Sequence, residues 1–248
     1  MVLQILEILE FGKATGDYIL FVDSDDYIDS NLLNRLSSYM EEQIDVIKFK
    51  LNRVNQRGEI IEKVKGAVFE KTDGQTAFDQ LYATDVLLDS PCIYLYKKDY
   101  ILRNGFQFQV GTYHEDFGLI PLVIVRAESI ISIDYEGYYY VQSDNSITRN
   151  ENYDKTIRKM KDSLLQYDNM LQKIQQYNLR NTTEENIKIY YTNAIILKLK
   201  DLKEEDKNIF IREIKQRKMI SNIKIRNLKQ FFKRIILGWN IKLYLKLK

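Results

Sequence analysis

Cysteine, histidine and proline are scarce in this sequence, and long hydrophobic runs are missing. Of the 248 residues, one is a cysteine (Cys92), one is a histidine (His114) and two are prolines. An internal disulfide is therefore excluded, as is a zinc site built from several cysteine and histidine ligands. No apolar run approaches the ~20 residues that cross a bilayer. We therefore expect a reducing, cytoplasmic location, either dissolved or peripheral on the inner face of the plasma membrane.

The composition is typical of a folded protein that ends in a basic tail. Apolar residues make up 45% of the chain and charged residues 29%, which excludes a disordered chain. From Arg212 to Lys248 there are twelve lysines or arginines and one acid, Glu213. This segment has a charge of +11 in a chain whose net charge is +2, so the part before it is acidic.

The first 150 residues show an α/β pattern. The apolar run Tyr18–Val22 predicts a strand buried on both faces, of the kind found in parallel sheets. A helix to about Glu42 and a strand over Val46–Lys50 follow, and strand–helix–strand is the repeating unit of doubly wound folds. Further along, the pattern predicts a hairpin within 50–66, a helix over Glu115–Ala127, and two short strands in Ile130–Val141.

From Asn152 to about Lys215 the sequence is helical and highly charged, with a break near Asn181. We therefore divide the chain into an α/β domain at 1–150 and a helical region at 151–248 that ends in the basic tail. The apolar residues of the tail recur at helical spacing, with basic residues between them. They are Leu228, Phe231, Phe232, Ile235, Ile236 and Trp239.

This spacing predicts a basic amphipathic helix, whereas 241–248 alternates with a period of two and is only weakly helical. One interpretation is attachment to an anionic membrane surface, to which each basic residue contributes ~1 kcal/mol. The other is an ordinary helix that packs on its own domain. No nucleic-acid partner is expected, because most of the chain is acidic and has no recognised binding motif.

Acidic residues follow the predicted strand Tyr18–Val22 directly, as Asp23-Ser24-Asp25-Asp26. Open α/β sheets bind ligands at the carboxyl ends of their strands, and clustered carboxylates suit hard cations such as Mg²⁺ or Mn²⁺. Asp and Ser also occur there simply as turn and capping residues. A calcium-binding EF-hand is excluded, because Ile28 stands where that loop requires glycine and Asn34 where it requires glutamate.

Two segments match the sequence motifs of a known enzyme family. Residues 14–28, ATGDYILFVDSDDYI, closely resemble the strand and Asp-x-Asp motif of family 2 glycosyltransferases of the bacterial capsule and exopolysaccharide type. Residues 111–117, GTYHEDF, resemble its Glu-Asp motif at the expected spacing. The likeness continues through Tyr138-Tyr139-Tyr140 to Ser146-Ile147-Thr148 and covers roughly residues 12–148.

The resemblance implies a partial GT-A fold, a mixed sheet with helices, followed here by the C-terminal helical region. It implies transfer of a sugar from a nucleotide-diphosphate sugar, expected to be a UDP-sugar, to a glycan or lipid-linked acceptor with inversion. Asp23 would lie near the ribose and the metal, Asp25 would coordinate Mg²⁺ or Mn²⁺, and Asp26 would support them. Asp116, with Glu115 beside it, would deprotonate the acceptor hydroxyl.

The sequence departs from the family before the first motif, where only Met1 to Lys13 stand in place of a longer nucleotide-binding part. We therefore expect an amino-terminally truncated domain with an exposed edge at Tyr18–Val22. Such an edge predicts self-association or pairing with a missing amino-terminal half. The alternative to an active transferase is an inactive homologue that binds a membrane surface or a partner.

Overall fold

The computed structural model describes residues 14–84, 88–142, 152–225 and 228–247, except the side chain of Lys229. The chain divides into two compact units, Met1–Asn150 and Glu151–Lys248. None of the helices in the described ranges is both long and apolar enough to cross a membrane.

The first unit is a mixed sheet flanked by helices, as predicted. Its described strands are β1 (Tyr18–Leu20), β2 (Tyr27–Ile28), β3 (Val46–Asn55), β4 (Ile60–Lys63), β5 (Phe69–Thr72), β6 (Tyr94–Lys97) and β7 (Ile130–Gln142). Its described helices are α1 (Leu32–Glu41), α2 (Gly74–Thr84), α3 (Lys98–Arg103) and α4 (Glu115–Arg126), with a 3₁₀ turn at Pro91–Ile93.

The main strand order is β1-β6-β3-β7-β2, with β4 beside β3 and β5 beside β7. The long strands β3 and β7 pair in parallel, whereas the other described pairs are antiparallel. Val46, Ile47 and Phe49 of β3 have no exposed surface, so the core lies on both faces of this central strand.

The prediction of a strand buried on both faces at Tyr18–Val22 is wrong. Strand β1 has three residues and pairs antiparallel with β6, with Ile19 opposite Tyr96. Ile19 is buried, but Tyr18 and Leu20 are half-buried and Val22 is 46% exposed. The reason is the position of β1 at the end of the described strand order, where β6 is its one strand neighbour. A strand at such an edge is covered on fewer sides than a central strand.

The predicted hairpin is present as β3 and β4, and its turn contains Gly58 with a φ of +80°. The two short strands predicted in Ile130–Val141 are one continuous strand, β7. Position 137 of β7 has no room for a side chain, because a Cβ atom on Gly137 would stand 2.4 Å from Leu32 Cδ1 and 3.0 Å from Phe49 Cδ2. The glycine therefore permits α1 to pack closely on β7 and does not mark a turn.

The second unit is helical, as predicted. Its helices are α5 (Tyr153–Ile174), α6 (Asn181–Lys198), α7 (Glu204–Gln216), α8 (Leu228–Trp239) and α9 (Ile241–Lys246). Tyr167 of α5 and Tyr191 of α6 are buried with ring centroids 6.5 Å apart. Arg217 holds α5 through Asp168, with Nη2 donating to Oδ2 at 2.9 Å. The alternating segment after Gly238 forms the short helix α9.

Candidate active site

The loop that carries the first acidic motif is fixed to strand β7. The Tyr138 hydroxyl donates to Asp26 Oδ2 at 2.7 Å and accepts from the Asp23 backbone N–H at 3.1 Å. The Val141 N–H donates to Asp26 Oδ1 at 2.8 Å. Both oxygens of Asp26 are thus engaged by β7, whereas the side chains of Asp23 and Asp25 reach solvent.

Three neighbouring carboxylates dominate the electrostatics of this loop. Surrounding protein atoms, then the charges of Asp26 and Asp25, raise the pKa of Asp23 above its ordinary value. Burial also raises the pKa of Asp26, against the lowering effect of its bonds from Val141 and Tyr138. Across the described residues, no lysine or arginine forms an ion pair with these three aspartates.

A buried thiol, Cys92, lies near the acidic loop. Cys92 Sγ is 3.1 Å from Ser90 Oγ. Burial raises the pKa of Cys92 to about 11; its hydrogen bonds with Ser90 and Tyr138 oppose the shift, and the charges of Asp23 and Asp26 add to it. At neutral pH this residue is therefore a neutral thiol that adds no charge next to the acidic loop.

The second acidic motif begins helix α4. His114 precedes the helix in the left-handed conformation with φ +60°, and Glu115 and Asp116 fill the first turn. The Phe117 N–H donates to Asp116 Oδ1 at 2.7 Å. Both acids are half-buried and lie where the helix dipole favours negative charge.

An aromatic cluster of Phe21, Tyr96 and Phe108 joins the residue after β1 to the segment before α4. Phe21, two residues before Asp23, meets Tyr96 and Phe108 edge to face, with centroids 5.8 and 5.4 Å away. Phe108 lies in the segment that leads into α4. Burial first, then charges that include that of Asp116, raise the pKa of the buried Tyr96. Tyr96 thus contacts Phe21 and is influenced by the charge of Asp116.

The donor set of the first motif suits a hard cation. The described residues contain no group of three or more His, Cys, Asp or Glu side chains arranged to hold a metal ion. Asp23 and Asp25 nevertheless offer solvent-facing carboxylates that form no ion pair with a described lysine or arginine. Such carboxylates are the ligands that Mg²⁺ and Mn²⁺ prefer when a diphosphate supplies further oxygens. These residues fit such an ion as partial ligands.

Four residues of the site were not predicted as site residues from the sequence: Phe21, Cys92, Tyr96 and Tyr138. Tyr138 stands in the run of tyrosines within the resemblance, but nothing local indicates that its hydroxyl meets Asp26, 112 positions earlier. The predicted continuation at Ser146-Ile147-Thr148 lies outside the described residues.

Part of the chain is similar to known proteins. Residues 10–103 match the family model described as glycosyl transferase family 2, a range that includes the Asp23 loop but not Asp116. A poly(ribitol-phosphate) beta-glucosyltransferase of Bacillus spizizenii is 32% identical over 140 residues. That alignment covers 53% of this chain and 20% of the relative.

Two crystal structures of the Staphylococcus aureus TarS fragment 1-349 share the fold. The first gives a TM-score of 0.61 and 19% identity, and the complex with UDP-GlcNAc a TM-score of 0.60 and 19% identity. In each, the match covers 88% of this chain and 60% of the TarS chain. The predicted GT-A-like α/β fold is therefore confirmed.

Proposed function

We propose that this chain carries the metal-binding and acceptor sides of an inverting glycosyltransferase for bacterial cell-surface polysaccharide. Its residues 10–103 match the model of glycosyl transferase family 2. The observation that supports the proposal is the acidic loop after β1, which is fixed to β7 through Asp26 while Asp23 and Asp25 face solvent. Solvent-facing carboxylates at the carboxyl end of a strand are what a metal-bound sugar nucleotide requires.

The donor in this proposal is a UDP-sugar, and the acceptor is a glycan or lipid-linked polymer. UDP-GlcNAc, present in the TarS complex, is the first donor to test. Poly(ribitol-phosphate), which appears in the name of the Bacillus relative, is the first acceptor.

Asp23 and Asp25 would hold the divalent cation, Mg²⁺ or Mn²⁺. Both side chains reach solvent, and burial, followed by repulsion from Asp26 and Asp25, raises the pKa of Asp23. A bound cation would relieve the repulsion. When bound, the ion stabilises negative charge on the departing nucleoside diphosphate as a Lewis acid. Asp26 supports this pair, because its own oxygens are engaged by Tyr138 and Val141 and fix the loop.

Asp116 would act as the general base. A sugar or polyol hydroxyl is a poor nucleophile, and a positioned base contributes ~10²- to 10⁴-fold to the rate. Asp116 takes the hydroxyl proton while the oxygen bonds to the anomeric carbon, and the bond from that carbon to the diphosphate oxygen breaks. A single displacement of this kind inverts the anomeric configuration. Glu115 is the neighbouring acid and the alternative base.

The test is transfer of labelled GlcNAc from UDP-GlcNAc to poly(ribitol-phosphate), with Asp116→Asn and Glu115→Gln as matched variants. We expect Asp116→Asn to lower kcat by ~10²- to 10⁴-fold while UDP binding persists. Glu115→Gln should be much less affected. Full activity of Asp116→Asn would contradict the assignment of the base. Binding of UDP by the unmodified chain without any transfer would favour the inactive homologue.

A cytoplasmic location and self-association along the edge of β1 stay predictions. Within the described sheet, β6 is the one strand that pairs with β1. The other edge of β1 has no described strand beside it. The mass of the purified chain in solution, measured by light scattering at several concentrations, tests the second of these.

A further inference from the structure

Helix α8 turns its apolar side outward. Trp239 is 78% exposed, Leu228 76% and Ile235 50%, and Phe231 and Phe232 are exposed with them. These five residues follow i, i+3, i+4, i+7 and i+11 spacing, so they share one side of the helix. We call them the exposed stripe.

The opposite side of α8 is the side that packs inside the second unit. Lys233 Nζ donates to Asn193 Oδ1 of α6 at 2.7 Å and lies 5.7 Å from the ring centroid of Tyr244 in α9. Leu237 has no exposed surface. A helix that packs only on the core of its own domain directs its apolar side toward that core. The exposed stripe is therefore not explained by the packing of this unit.

The surroundings of the exposed stripe are strongly basic. From Ile214 to Lys248 the sequence has eleven lysines or arginines and no aspartate or glutamate. Leu243 of α9 borders a cavity of about 500 Å³ whose charged lining is four lysines and one acid. The lysines are Lys200, Lys207, Lys242 and Lys246, and the acid is Glu204, which pairs with Lys242 at 2.6 Å.

We infer that α8 and α9 form a docking surface for an anionic phospholipid bilayer. The exposed stripe would enter the boundary between headgroups and acyl chains, and the flanking basic residues would lie over the phosphates. A second copy of the chain fits less well, because it would bring another segment of charge +11 against this one. A nucleic acid would match the charge but leave the apolar side chains of the exposed stripe in water.

Trp239 makes the inference directly measurable, because it is the single tryptophan of the chain. Its emission should shift to shorter wavelength when vesicles of phosphatidylcholine with phosphatidylglycerol are added, and the chain should sediment with them. Vesicles of phosphatidylcholine alone should produce little of either effect. This test contains no sugar donor, so its result is independent of transferase activity.

The matched variants are Ile235→Ser in the exposed stripe and Ile209→Ser on α7. The two isoleucines are 50% and 47% exposed, so neither substitution should disturb folding, which circular dichroism checks. We expect Ile235→Ser to weaken vesicle binding about tenfold or more, and Ile209→Ser to bind like the unmodified chain.

Three results would overturn the inference. The first is no blue shift with the anionic vesicles, and the second is an equal loss of binding in both variants. The third is a blue shift that grows with protein concentration without lipid, together with a doubled mass in light scattering, because the exposed stripe would then be a self-association surface.

Discussion

At the scale of residues, Asp23 and Asp26 differ although they belong to one loop. Asp26 accepts hydrogen bonds on both oxygens, whereas the Asp23 side chain reaches solvent. The sequence predicted where the acids stand and their chemical class, because both depend on a short motif. It could not predict which of them is structural, because that depends on Tyr138 and Val141, 112 and 115 positions further on.

We predict that Asp23→Asn stabilises the fold at neutral pH while it removes metal-dependent nucleotide binding. The pKa of Asp23 is raised above its ordinary value of 3.8, so the fold favours the protonated side chain. The contribution of this protonation to the free energy of unfolding is complete below pH 3.8. The contribution is lost as the pH rises through the raised pKa, because the fold disfavours the charged form. Asparagine removes this penalty.

Thermal unfolding at pH 7 and below pH 4 measures this effect. The increase in Tm of Asp23→Asn should be present at pH 7 and should vanish in acid. Asp201→Asn, at an exposed aspartate of the second unit, serves as the control and should show little change. A lower Tm for Asp23→Asn at pH 7 would contradict the account of the three neighbouring carboxylates.

At the scale of elements, periodicity predicted the helices better than the strands. Helix α4 was predicted within one residue of its observed end, because its apolar spacing extends over three turns. The prediction that Tyr18–Val22 is buried on both faces was wrong, because a short apolar run does not reveal how many strands lie beside it. The sequence predicted two short strands where β7 is continuous, because the packing of Gly137 against Leu32 is invisible in the sequence.

We predict that Gly137→Ala destabilises the first unit by about 1–3 kcal/mol, as overpacking of a filled core does. The new methyl group would stand 2.4 Å from Leu32 Cδ1, and Leu32 is fully buried and has little room to move. Denaturant unfolding followed by circular dichroism measures the loss.

Gly238→Ala is the matched control for this substitution. Gly238 lies in α8, and an added Cβ would meet no atom within 4 Å apart from its chain neighbours and the backbone of its own helix. Alanine should therefore be neutral or stabilising by up to about 1 kcal/mol. Equal effects of the two substitutions would show that the contact with Leu32 does not explain the glycine in β7.

At the scale of the whole molecule, the charge distribution and the fold class could be predicted from the sequence. Whether the apolar side of the basic helix α8 faces the core or solvent could not. Composition alone separates an acidic α/β part from a basic tail, and the residue pattern gives the mixed fold. Amphipathic spacing shows that α8 has an apolar side but not whether that side faces the core or solvent. The bond from Lys233 to Asn193 decides this, and it joins positions 40 residues apart.

The central claim is that the Asp23 loop forms a metal-dependent donor site. Isothermal titration of UDP into the chain, with and without Mn²⁺, tests it most directly when Asp25→Ala and Glu115→Gln are measured alongside. The account predicts binding that requires Mn²⁺, is lost in Asp25→Ala and persists in Glu115→Gln. Binding that is indifferent to both Mn²⁺ and Asp25→Ala, or no binding under any condition, would contradict it.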